Sequence, residues 1–216
     1  MSVYSQLMRH LDNGTIGCGD AVLFRYTQLG WLQRQICRIQ RKALKDLRPL
    51  DKNMDPTAPY YTHVGMVFSN QLCVEMTSPR ARIIDWAKRL EGIAEICIVR
   101  PVGALNVVAM YNAALFGWSD VQNRIRYPYF EILLYWLWAW KKKLRGSRFV
   151  DVFRSRKRNV CSGSVIDWWQ RANIPLQLYG YDTWPESWYP ARLAVDSRFI
   201  IITRLVDIEN KGVSVS

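Results

Sequence analysis

Cys161 and His63 are the residues of this chain whose types and surroundings can do chemistry. Cys161 stands in Asn159-Val160-Cys161-Ser162-Gly163-Ser164-Val165-Ile166-Asp167-Trp168-Trp169. Small residues followed by an apolar run read as the start of a buried helix. Free backbone N–H groups and the helix dipole favour thiolate over thiol there. His63 opens the strand-like run Thr62-His63-Val64-Gly65-Met66-Val67-Phe68 and is one of two histidines. A thiol at a helix N-terminus facing an imidazole on a strand suits attack on a carbonyl, with the imidazole as base. The plainer alternative is a cysteine packed as a small hydrophobe and a histidine unrelated to it. His10, the other histidine, has no motif around it and reads as a surface residue.

The elements that must position such a pair follow from periodicity and turn chemistry. Gly17-Cys18-Gly19-Asp20 is a turn, and Ala21–Tyr26 a short strand. Residues 30–47 form a basic helical pattern with Leu32, Ile36, Ile39 and Leu44 on or near one side. Residues 51–60, with Pro56 and Pro59, are a loop ahead of His63. His63–Phe68 and Leu72–Met76 form a hairpin around Ser69-Asn70. Residues 83–86 extend the sheet, and 94–100 add a strand closed by Pro101. A helix over 104–116 should stop at Gly117. A Trp-rich helix over 130–144, a basic stretch over 145–158, a helix over 162–172 and a last strand over 199–205 complete the chain. Residues 210–216 read as a frayed tail.

Composition limits the classes. At 216 residues, half of them apolar and 13% aromatic, the chain is long enough for one domain with a real core. Its five cysteines are an odd number without a CxxC pair, and histidine is scarce, so neither a structural metal nor a cofactor is expected. Free thiols suit a reducing compartment. The N-terminus lacks the apolar run of a secretory signal. The longest apolar run, 11 residues from Phe130 to Trp140, is too short to span a bilayer. A soluble, cytoplasmic protein is expected. The net charge of +12 gathers in 34–52, 141–148 and 154–158. Those segments can meet an anionic polymer or a membrane surface, or can simply be solvated faces; no motif points to specific nucleic-acid binding.

Taken together, Gly19-Asp20 before a strand, Thr62-His63-Val64-Gly65 with its strand, and Cys161-Ser162-Gly163 with its helix are a familiar set. In that order they resemble the circularly permuted branch of the NlpC-type papain-like cysteine hydrolase superfamily. The branch includes bacterial, phage and poxviral hydrolases and relatives of lecithin retinol acyltransferase. Residues 190–199 also look like the family's segment leading to its last strand. The likeness covers roughly 17–205, with a divergent middle. It implies an α+β, permuted papain-like fold: an antiparallel sheet packed against helices, in one domain with a helical and basic insertion at about 117–158.

The resemblance implies a Cys161 nucleophile, a His63 base and a third residue that orients the imidazole. Glu75 matches the acidic position on the strand after the histidine strand. A three-residue hairpin loop, with Val67 opposite Gln71, would set His63 opposite Glu75 on one sheet face. A two-residue turn would turn Glu75 away. Asp20 is the fallback, although a turn-capping role suits it better. Gly163 departs from the acidic residue that many relatives carry there, which bears on substrate recognition. The function expected is cleavage of an amide bond, in a peptide or cell-wall peptide, through an acyl-enzyme. A lipid acyl hydrolase or acyltransferase of the same superfamily is the alternative, suggested by the Trp-rich helix and the aromatic loop 179–189. A non-catalytic basic binding protein is the third reading. The Trp-rich helix with Lys141-Lys142-Lys143 after it can lie in a lipid interface or wall a substrate groove; groove or core is the expectation.

Overall fold

The structure, a computed structural model, describes residues 1–47, 57–77, 79–104, 106–126, 161–176 and 190–208. The Trp-rich helix, the basic stretch 145–158, the aromatic loop 179–189, residues 51–56 and the tail 210–216 lie outside the described residues. The protein is α+β. Its strands are β1 (Ala21–Tyr26), β2 (His63–Val67), β3 (Leu72–Met76), β4 (Ala81–Asp85), β5 (Ile93–Pro101) and β6 (Phe199–Val206). They form one antiparallel sheet in the order β4-β3-β2-β1-β5-β6. Its helices are α1 (Val3–Asp12), α2 (Trp31–Leu47), α3 (Trp86–Arg89), α4 (Val107–Gln122), α5 (Cys161–Arg171) and α6 (Pro190–Leu193), with a 3-10 turn at Ala58–Tyr60. None of the described helices is long and apolar enough to cross a membrane.

Alternation along the strands gives the sheet two buried faces. Leu23, Val64, Met66, Val74 and Cys97 face a core built with Met110 and Ala113 of α4 and with Val165, Trp168 and Trp169 of α5. Val22, Phe24, Val67, Cys73 and Ile96 face Val3, Leu7 and Leu11 of α1 and Trp86 of α3. Helix α1 was not among the expected elements. Val3, Leu7 and Leu11 recur every four residues, and Ser2 caps the helix by accepting from the Ser5 N–H. His10 lies on this helix, half-buried rather than on open surface, and its buried Nδ1 has no hydrogen-bond partner among the described residues.

Helix α4 differs from the expected 104–116: it starts at Val107 and runs through Gly117 to Gln122. Gly117 is a contact point, not a stop. A Cβ there would stand 3.0 Å from Val74 and 3.3 Å from Trp168. The missing side chain lets α4 close onto both the sheet and α5. The first residues assigned to the insertion, 117–122, therefore belong to α4, and 127–158 is outside the described residues.

Two buried indoles fix α5. Trp168 Nε1 donates to Asp120 Oδ2 of α4 at 2.7 Å, and Trp169 Nε1 donates to the Gly19 carbonyl ahead of β1 at 3.0 Å. Each ring removes roughly 200 Å² of surface from water, about 5 kcal/mol at about 25 cal/mol per Å². The start of α5 is thereby held against β2.

Candidate functional site

The site forms where β3 parts from β2. Pairing of β2 with β3 runs from Val67↔Cys73 through Met66↔Val74 to Gly65↔Glu75 and stops short of Val64. This register differs by two residues from the one expected, so Gly65, not His63, lies opposite Glu75. A shift of two preserves the face. His63 and Glu75 still project from the same side, and Nε2 of His63 lies 2.7 Å from Oε2 of Glu75. Gly65 leaves room in that row: a Cβ there would meet Cys73 Sγ at 2.7 Å and Glu75 Cβ at 3.4 Å.

Cys161 reaches this point from the other face of the sheet. It is the first residue of α5 and nearly buried, 7% exposed. Its sulfur interacts with His63 by hydrogen bond and charge, and accepts from the backbone N–H groups of Val64 and Ser162. The Val64 N–H is free for this because β3 no longer pairs with it. With Nε2 committed to Glu75, Nδ1 is the His63 nitrogen left for the thiol.

The electrostatics follow from these contacts. Burial opposes ionisation of Cys161, but the His63 charge and the three hydrogen bonds outweigh it and lower the thiol pKa. Burial likewise opposes the His63 imidazolium, and Glu75 and Cys161 together push its pKa up to about 10. Both shifts favour the thiolate–imidazolium form of the pair. Cys18, Cys37 and Cys73 go the opposite way: burial raises all three, Cys18 to about 11.

Glu75 has partners the sequence did not single out. The carboxylate is fully buried. Arg82, its direct cross-strand neighbour on β4, binds Oε1 through Nε at 2.8 Å and through the second guanidinium nitrogen at 2.6 Å. Arg89 of α3, 6% exposed, donates Nε to Oε2 at 2.7 Å and a further N–H to the Tyr26 hydroxyl at 3.1 Å. Its guanidinium lies 3.7 Å from the Phe24 ring centroid, and Phe24 stacks on His63. Burial alone would raise the Glu75 pKa; His63, Arg89 and Arg82 hold it well below the carboxylate range. In the sequence, the only signal for Arg82 is its place on a strand facing Glu75, and it is readable once the β3–β4 register is known. Arg89 sits on a four-residue helix with no pattern to announce it.

Asp20 is elsewhere. It binds Arg100 through both oxygens, at 2.6 and 2.7 Å, and accepts from the Gly17 N–H at 2.8 Å. That makes it a turn cap and ion-pair anchor at the entrance of β1. Among the described residues, no group of three or more His, Cys, Asp or Glu side chains is placed to ligate a metal.

The chain matches no family model, no curated protein and no solved structure.

Proposed function

We propose that the protein is a cysteine hydrolase of the permuted papain-like kind, which cleaves an amide bond through Cys161, His63 and Glu75. The observation that carries this reading is the placement of the Cys161 thiol at a helix start, hydrogen-bonded to an imidazole that is itself held by a buried carboxylate. A cysteine kept only for packing would have its pKa raised by burial, as the other three shifted thiols do.

The chemistry follows from the groups in place. The Cys161 thiolate attacks the carbonyl carbon, an S–C bond forms, and the carbonyl π pair becomes an oxyanion. Helix α5 begins at Cys161, so the backbone N–H of Cys161 has no acceptor within the helix and suits that oxyanion. His63 gives its proton to the amine nitrogen as the C–N bond breaks, leaving a thioester. A water molecule then attacks the thioester, His63 takes its proton, and the thiolate departs with the carboxylic acid released. Throughout, Glu75 holds Nε2 and keeps Nδ1 aimed at the sulfur.

The test compares matched peptide amides with acyl esters of lipids on the purified full chain. Cleavage of amides, lost in Cys161→Ala, supports the reading. Turnover of lipid esters alone would replace it with the lipid-acyl alternative, and no turnover with an unreactive thiol would leave a binding protein.

A further inference from the structure

Helix α2 presents a face that the site does not use. Trp31, Arg34, Arg38 and Arg41 follow one another at spacings of three, four and three residues, which aligns them along one side of a helix. All four are exposed, Trp31 to 66%. Cys37, Gln40 and Leu44 are buried, on the side of the helix that turns to the protein. Among the described residues, none of the three guanidiniums pairs with a carboxylate. Arg34 donates to the Leu29 carbonyl, Arg38 to the Gln35 side chain, and Arg41 lies over the Tyr60 ring. An ordinary solvated face mixes charges of both signs and keeps large aromatics out of water. Here an exposed indole heads three cations that have no carboxylate partner among the described residues.

We propose that this face docks on an anionic lipid surface, with the arginines on headgroup phosphates and Trp31 at the interface. Charge alone would serve any polyanion. The indole in line with the arginines favours a bilayer, because its amphipathic ring gains from the boundary between headgroups and acyl chains. The opposite side of α2 links the face to the site. Gln40 Nε2 donates to the carbonyls of Pro59 and Tyr61, at 3.1 and 2.8 Å, and its Oε1 accepts from the Ala191 N–H at 3.0 Å. Docking through α2 therefore fixes the chain that leads into His63 relative to the lipid plane. The surface stands independently of the chemistry at Cys161.

Flotation of the full chain with phosphatidylcholine vesicles, with and without phosphatidylserine, tests it. Binding should require phosphatidylserine and weaken with salt. Arg34→Gln with Arg38→Gln should cut it about 25-fold, roughly fivefold for each arginine near the surface. Trp31→Ala should weaken binding on its own. Cys161→Ala should float as the unaltered protein does, which separates this surface from the hydrolase reading. The replaced side chains are exposed, so thermal unfolding should hardly change, and Trp31→Ala and the arginine pair check each other for folding. Equal flotation on both vesicle types, no flotation, or an arginine variant that floats undiminished would each overturn the proposal. So would arginine-dependent binding indifferent to Trp31→Ala and matched by heparin or RNA, which would mark a general polyanion site.

Discussion

Removing the charge of Arg89 tests how the site shares its one carboxylate. Arg89 Nε and His63 Nε2 each lie 2.7 Å from the same Glu75 oxygen. Two cations sharing an oxygen stand about 5 Å apart, and an effective dielectric of about 20 makes their repulsion about 3 kcal/mol. Arg89 therefore works against the imidazolium that Glu75 favours. Arg89→Met keeps much of the stem and loses the charge. The His63 titration, near 10 in the folded protein, should then move up by about two pH units, at about 1.36 kcal/mol per unit. The chain has only two histidines, so ring NMR can follow His63 directly. Stability should fall by about 3 kcal/mol, the lower end for breaking a buried pair, because Arg82 and His63 still face the carboxylate. Arg89→Lys should hold the titration while losing the Tyr26 bond. A folded Arg89→Met whose His63 titrates unchanged, or lower, would refute the shared-carboxylate reasoning.

Other expectations follow from the same contacts. Glu75→Gln leaves two guanidiniums and an imidazole around a neutral amide, so urea denaturation should show a loss of about 3–5 kcal/mol and His63 should titrate lower; unchanged stability would deny the clamp. Asp20→Asn should lower the unfolding temperature through Arg100 and Gly17 yet leave the pH profile of Cys161 alkylation in place; a displaced profile would give Asp20 a role at the site. Between about pH 6.5 and 9 the titrations of His63 and Cys161 should pull stability in opposite directions. His63, with its pKa raised from 6.5 to about 10, contributes stability that is complete below 6.5 and lost as pH rises towards 10. Cys161, lowered from 9.0, contributes stability that is complete above 9 and lost as pH falls. Between those values the two slopes have opposite signs, so any decline should be shallower than His63 alone would give. A decline at the full His63 slope beginning at pH 6.5 would mean the imidazolium forms without the thiolate.

The strands were legible because each is a short apolar run bounded by turn residues; Ala21–Tyr26 and Leu72–Met76 match the observed bounds. Helix α5 was legible from small residues before an apolar run, and it starts at Cys161. Helix α1 carries only three buried apolar residues, Val3, Leu7 and Leu11, in a mostly polar segment, so its four-residue spacing is a faint signal. Gly117 misled because glycine is a stop signal at a helix end and a packing contact within one, and only the neighbours Val74 and Trp168 decide which. The hairpin register was beyond the sequence, since loop length sets it. The Glu75–His63 contact survives only because the shift was even. Arg82 and Arg89 could not be foreseen. Their role arises from cross-strand placement and from a side chain delivered by a four-residue helix.

Selective alkylation tests the central claim most directly. The unaltered chain and His63→Ala are exposed to limiting iodoacetamide at about pH 6, where ordinary thiols are protonated, and the modified cysteine is mapped by mass spectrometry. Of the five cysteines, Cys161 should take the label first, and His63→Ala should nearly abolish that reaction. Labelling led by the more exposed Cys18, or a Cys161 rate indifferent to His63→Ala, would contradict the thiolate–imidazolium pair on which the proposed hydrolase rests.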